Sequence, residues 1–175
     1  SSRFSPRNKM VAELIQQHGM GTLLFDLLTE QEDRIYENRF NIDLLVSRLI
    51  EATEWLMHNE ETQEFSVAYF GASTGAASAL RAAAYFEKKI KAVVSRGGRP
   101  DLALKALPMV TAPTLLIVGQ LDVPVIQMNK QAFDQLHCIK EMKIIPGATH
   151  LFEEPGKLIE VAEMAISWYK EYFIK

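Results

Sequence analysis

Short unbroken apolar runs alternate along this chain with longer stretches whose apolar positions recur every three or four residues. The first pattern predicts strands buried on both faces, and the second predicts helices with one apolar side. Pro6–Gln17 reads as a helix, with Ser5 before it, Pro6 at its first position and Gly19 near its end. Thr22–Leu28 (Thr-Leu-Leu-Phe-Asp-Leu-Leu) reads as a buried strand. Asn41–His58 carries Ile42, Leu44, Leu45, Leu49, Ile50, Trp55 and Leu56 at helical spacing. Phe65–Phe70 is a strand, and the alanine-rich Thr74–Phe86 is a helix suited to lie close against a sheet. Ile90–Ser95 is a further strand; Arg96–Pro100 is a loop, after which Asp101 caps a short helix to Leu107. Pro113–Gly119 is the most strand-like run of all. Val125–His137 follows as a helix, Glu141–Ile145 as a strand stopped by Pro146-Gly147, and Pro155–Phe173 as the closing helix. Apolar strands alternating with helices imply an α/β fold: a parallel sheet covered on both faces.

The length of 175 residues favours one domain, 1–175, and no repeat, low-complexity run or linker interrupts it. Hydrophobic residues make up 48% and charged residues 23%, the balance of a soluble globular protein. The net charge of −3, without a basic run, argues against nucleic acid as a partner. No apolar stretch approaches the ~20 residues that span a bilayer, so no membrane is expected as a partner. No secretory signal is evident in these 175 residues, whose first position need not be the natural start. The single cysteine, Cys138, excludes an internal disulfide and a cysteine-built metal site. It reads as a small buried side chain, and a cytoplasmic location follows.

The chemistry concentrates where strands end. Phe65–Phe70 stops at Gly71-Ala72-Ser73-Thr74-Gly75, a Gly-x-Ser-x-Gly turn followed at once by a helix. Such a turn holds its serine in a strained backbone conformation, and glycines at both sides remove side chains that would collide. Ligands of open parallel sheets bind at the carboxyl ends of strands. Asp122 follows Pro113–Gly119, and His150 follows Glu141–Ile145. The order Ser73, Asp122, His150 is the one used by α/β-hydrolases, with room for whole strand–helix units between the three. Ser73 is then the nucleophile, His150 the base that takes its proton, and Asp122 the group that orients the imidazole. The backbone N–H of Thr74 is the first oxyanion donor. Taken singly, each has a plainer reading: Ser73 as a small residue in a tight turn, Asp122 as a cap, His150 as a surface or packing histidine. His18, His58 and His137 lack a strand-end setting and read as structural or solvent-facing. No His or carboxylate pair has metal-ligand spacing on one helix face, so neither metal nor cofactor is expected.

The chain resembles the α/β-hydrolases of the dienelactone hydrolase-like group, in particular a bacterial branch of which some members are fused to a phosphoribosyltransferase domain. The resemblance runs through Ser-Ser-Arg-Phe-Ser-Pro-Arg-Asn at 1–8, Asp-Leu-Leu-Thr at 26–29 and Tyr-Phe-Gly-Ala-Ser-Thr-Gly-Ala-Ala at 69–77. It continues in Ser-Arg-Gly-Gly-Arg-Pro-Asp at 95–101, Ala-Pro-Thr-Leu-Leu-Ile-Val-Gly at 112–119 and Pro-Gly-Ala-Thr-His-Leu-Phe-Glu-Glu-Pro-Gly at 146–156. It implies the α/β-hydrolase fold and a Ser73–Asp122–His150 triad acting on a small acyl substrate. Dienelactone hydrolases proper carry cysteine where this chain has Ser73, so their substrate does not carry over. In the resembled branch a His-Gly-x-Gly segment, preceded by several strands, comes just before the match to Ser1-Ser2 and supplies a second oxyanion donor. Either this chain is a truncated piece or that part lies outside the 175 residues. A piece lacking those strands exposes a sheet edge and is expected to self-associate through it.

Arg96 and Arg99 are candidates for holding a substrate carboxylate or phosphate, with pairing to Asp101 or nearby acids as the alternative. Asp26 either lines the same mouth or makes a structural hydrogen bond. Glu153 and Glu154 favour the positive end of the last helix. The leading expectation is a serine esterase. Its rivals are a binding or regulatory module that keeps the fold, and acyl transfer to an acceptor other than water.

Overall fold

In the computed structural model, which describes residues 2–173, four parallel strands lie in the order β1 (Val67–Ala72), β2 (Ile90–Arg96), β3 (Thr114–Gly119) and β4 (Lys140–Ile145). Each strand pairs with the next in sequence, so all the strands end at the same edge, which carries the reactive side chains. The helices are α1 (Pro6–Gln16), α2 (Glu30–Asp33), α3 (Ile42–His58), α4 (Thr74–Phe86), α5 (Val123–Gln135) and α6 (Lys157–Tyr172). Short 3₁₀ turns occupy Tyr36–Phe40, Glu87–Lys89, Pro100–Ala103 and Leu107–Met109.

The sheet separates two apolar layers. On one side Tyr69, Val93 and Leu116 pack with Leu45 of α3, Leu80 of α4 and Ala132 of α5. On the other, Ala92, Val94, Leu115 and Ile117 pack with Val11 and Ile15 of α1 and with Val161, Ala162 and Ala165 of α6. Every residue of β3 is buried, as the unbroken apolar run at 113–119 requires. Each leucine or isoleucine removed from water there contributes about 1.5–3 kcal/mol. Ala76, Ala77, Ala79, Ala82 and Ala83 are all buried, and their methyl groups let α4 approach the sheet closely.

Three expectations fail, each for a physical reason. Thr22–Leu28 is not a strand. Leu23 and Leu24 are exposed, while Leu27 and Leu28 pack side chains against the α3/α4 layer without joining a ladder. Asp101 caps no helix: two 3₁₀ turns stand there, Asp101 lies inside the first of them, and its carboxylate is taken up by Arg99. Gly75 is not needed to avoid a collision, because a Cβ there meets nothing within 4 Å. Gly71 is needed, since a Cβ there lies 2.6 Å from the Ala76 Cα and from the Gly75 carbonyl oxygen.

Candidate active site

Ser73 sits between β1 and α4 with φ 52° and ψ −126°, in the left-handed half of backbone space that non-glycine residues seldom occupy. Its carbonyl accepts hydrogen bonds from Ala76 N–H at 3.1 Å and from Arg99 N–H at 3.0 Å, which pin the turn. Thr74 is the first residue of α4. Its N–H therefore has no intrahelical acceptor and lies at the positive end of the helix.

Asp122 occupies the N-cap position of α5, yet its side chain caps nothing. The carboxylate instead accepts a hydrogen bond from Nδ1 of His150 at 2.6 Å. A carboxylate can only accept, so Nδ1 carries the proton and Nε2 is left free to act as a base. The cap reading of Asp122 and the packing reading of His150 both give way to this pairing. The two loops also meet through their backbones: Leu121 N–H donates to the Ala148 carbonyl at 3.0 Å. Gly119 makes the approach possible, because a Cβ there would stand 2.4 Å from the Ala148 oxygen and 2.6 Å from the Thr149 oxygen. Phe152, at φ 57°, anchors the far end of the His150 loop in the core. Glu154 ties the loop to itself by accepting from the backbone and hydroxyl of Thr149, and these bonds hold its carboxyl below the usual carboxylate range.

Among the described residues no hydrogen bond joins the Ser73 hydroxyl to His150. The two share a neighbour instead, the loop at 97–99. Arg99 N–H bonds the Ser73 carbonyl, and a Cβ on Gly97 would lie 3.1 Å from the His150 oxygen and 3.5 Å from its Nδ1.

The three expected substrate contacts each have an internal partner. Arg99 makes a forked pair with Asp101 at 2.9 and 2.8 Å, the alternative already open from the sequence. Asp26 accepts from the Arg3 backbone and guanidinium, both at 2.7 Å, which is the structural role. Arg96 is only 6% exposed; it lies over the Phe70 ring and donates to Asn8 Oδ1 at 3.3 Å. Burial, and then the nearby Arg7, push its guanidinium down to about 10. Glu153 pairs with Arg7 on α1 rather than serving the end of α6.

The family model described as the dienelactone hydrolase family matches residues 16–172. The chain belongs to the dienelactone hydrolase family. Within solved structures of such proteins, the dienelactone hydrolase from Anabaena variabilis is 58% identical over 99% of this chain and 82% of that one, with a TM-score of 0.96. The esterase domain of a Rhodothermus marinus protein is 18% identical, with a TM-score of 0.75 over 95% of this chain and 80% of that chain. That likeness concerns the fold alone, which is that of the α/β hydrolases. Two Mycobacterium tuberculosis proteins named putative phosphoribosyl transferases are each 52% identical over 98% of this chain. The chain spans only 39% of their length. Family membership and fold support a hydrolase. Among the described residues, no helix is long and apolar enough to cross a membrane.

Asn129 is the polar residue that sequence reasoning missed. It stands in the buried stripe Val125, Asn129 and Ala132 of α5. A lone amide in an apolar stripe at helical spacing was the available signal.

Proposed function

We propose that this protein is a serine hydrolase that cleaves a small carboxylic ester through a Ser73–His150–Asp122 triad. The carrying observation is the 2.6 Å bond from His150 Nδ1 to a carboxylate that its own helix leaves uncapped. His150 Nε2 takes the Ser73 proton as Oγ attacks the ester carbonyl carbon. The carbonyl oxygen becomes an oxyanion facing the Thr74 N–H. Collapse breaks the bond to the alkoxy oxygen, which leaves as the alcohol with the proton from His150. Water, deprotonated by the same ring, then attacks the acyl-enzyme and frees the acid and Ser73. Asp122 stays ionised throughout and steadies the imidazolium. Reaction requires the Ser73 hydroxyl to turn toward His150, and such contacts are commonly longer before substrate binds.

A fluorophosphonate probe tests this reading. Labelling of one serine per chain is expected, abolished by Ser73→Ala and strongly slowed by His150→Ala. A folded protein that takes no label contradicts it and favours the alternative of a binding or regulatory module. That alternative draws on the unjoined Ser73 hydroxyl and on relatives of more than twice this length with another name.

A further inference from the structure

The Ser73 and His150 loops both meet the segment 97–99. Arg99 holds the Ser73 carbonyl at 3.0 Å, and Gly97 lies against the His150 ring. Gly97 itself is fixed to β3, its N–H donating to Ile117 at 2.8 Å, and has φ +50°. Between these two, the Gly98 carbonyl accepts from Asn129 Nδ2 at 3.0 Å. There is no space at Gly98 for even a methyl group: a Cβ would fall 2.0 Å from Ser95 Oγ and 2.5 Å from Ala76 Cβ. The loop is therefore held by close packing on one side and by Asn129 on the other.

Asn129 is fully buried, and its amide also donates to Val125 at 2.8 Å within α5. Its Oδ1 is buried and has no partner among the described residues. Packing alone gives no reason for an amide in this stripe, since an apolar side chain fills such a site without burying an unpaired Oδ1; what the amide adds is the donor to Gly98. The same helix carries Asp122 at its start. One rigid element thus bears both the acid that orients His150 and the donor that fixes the loop between His150 and Ser73.

We propose that Asn129 is a positioning residue: its hydrogen bond to Gly98 sets the 97–99 loop and, through it, the placement of Ser73 relative to the His150 ring. This rests on the reading of Ser73, His150 and Asp122 as a working triad. Asn129 takes no part in proton transfer.

The test uses the full chain with Asn129→Leu, which has the same number of side-chain heavy atoms but no donor, and Asn129→Asp, which keeps the shape and replaces the amide donor by a carboxyl group. Two readouts are taken at a temperature where circular dichroism shows every variant folded. One is the second-order rate of fluorophosphonate labelling at Ser73. The other is the proton NMR resonance of the His150 Nδ1–H that is bonded to Asp122. Displacement of the loop lowers the labelling rate by about 10- to 100-fold in both variants. It also shifts or broadens the His150 resonance. A purely structural role lowers the melting temperature but leaves both readouts at wild-type values, which overturns the proposal. If the wild-type protein itself takes no label, the triad reading fails separately. The resonance then decides for Asn129: a shift in both variants upholds the placement of His150, and an unchanged signal overturns it.

Discussion

Replacing Gly119 by alanine places a methyl group where the His150 loop already lies. The added Cβ would sit 2.4 Å from the Ala148 carbonyl oxygen and 2.6 Å from that of Thr149. Ordinary contact begins at 3.4 Å, so the loop or the end of β3 must yield by about 1 Å. Both obstacles are backbone, and neither can turn aside as a side chain would. Overpacking of this kind costs about 1–3 kcal/mol, or roughly 2–12 °C in melting temperature for a chain of this size. The function suffers as well, because the atoms that move carry His150 and shift it relative to Asp122. A 1 Å misplacement in a catalytic array lowers the rate by about 100-fold. Gly119→Ala should therefore lower the second-order rate of fluorophosphonate labelling by about that factor, measured on protein shown to be folded by near-ultraviolet circular dichroism. A variant that labels at the wild-type rate with an unchanged melting temperature would refute the reasoning. It would mean that the Leu121–Ala148 junction does not control the site.

Other substitutions probe other parts of the arrangement. Ser73→Gly should abolish labelling yet raise the melting temperature: relief of strained backbone, about 1–3 kcal/mol, outweighs the ~0.5–1 kcal/mol entropic cost of glycine. A lower melting temperature would mean the turn stores no strain. Asp122→Asn should slow labelling by about 10⁴-fold while leaving the fold intact, because an amide at this site favours the wrong imidazole tautomer. A loss under tenfold would remove Asp122 from the triad. Arg96→Met should be neutral or stabilising by up to ~4 kcal/mol in thermal unfolding, since a buried cation whose NH1 is unbonded and which has no acidic partner among the described residues is costly to keep. A loss of several kcal/mol would show that this cation is compensated. Among the described residues β1 pairs on one side only, so analytical ultracentrifugation of these 175 residues should show concentration-dependent association. A monomer at every concentration would contradict it.

What was legible in the sequence was whatever local pattern decides. The Thr74–Phe86 helix matches its residues because alanine composition and the glycine turn act over a few positions. The run at 113–119 reads as a strand buried on both faces because every side chain is apolar. The placement of Asp122 and His150 just after two neighbouring strands, β3 and β4, likewise anticipated the bond between them. Thr22–Leu28 failed because an apolar run defines what is buried and not what it pairs with; Leu27 and Leu28 bury themselves without a ladder. The arginines at 96 and 99 show the same limit: their position at the sheet edge was readable, while the partners Asn8 and Asp101 depend on how the chain closes on itself. Asn129 was hidden because its importance comes from Gly98, a residue 31 positions away.

The most direct measurement is a double-substitution cycle on labelling rate, comparing His150→Ala, Asp122→Ala and the two combined. Residues that act only through one another are not additive. If Asp122 works by orienting His150, the combined variant labels no more slowly than His150→Ala alone. If the two losses multiply, Asp122 and His150 act on Ser73 independently, and the triad reading is contradicted.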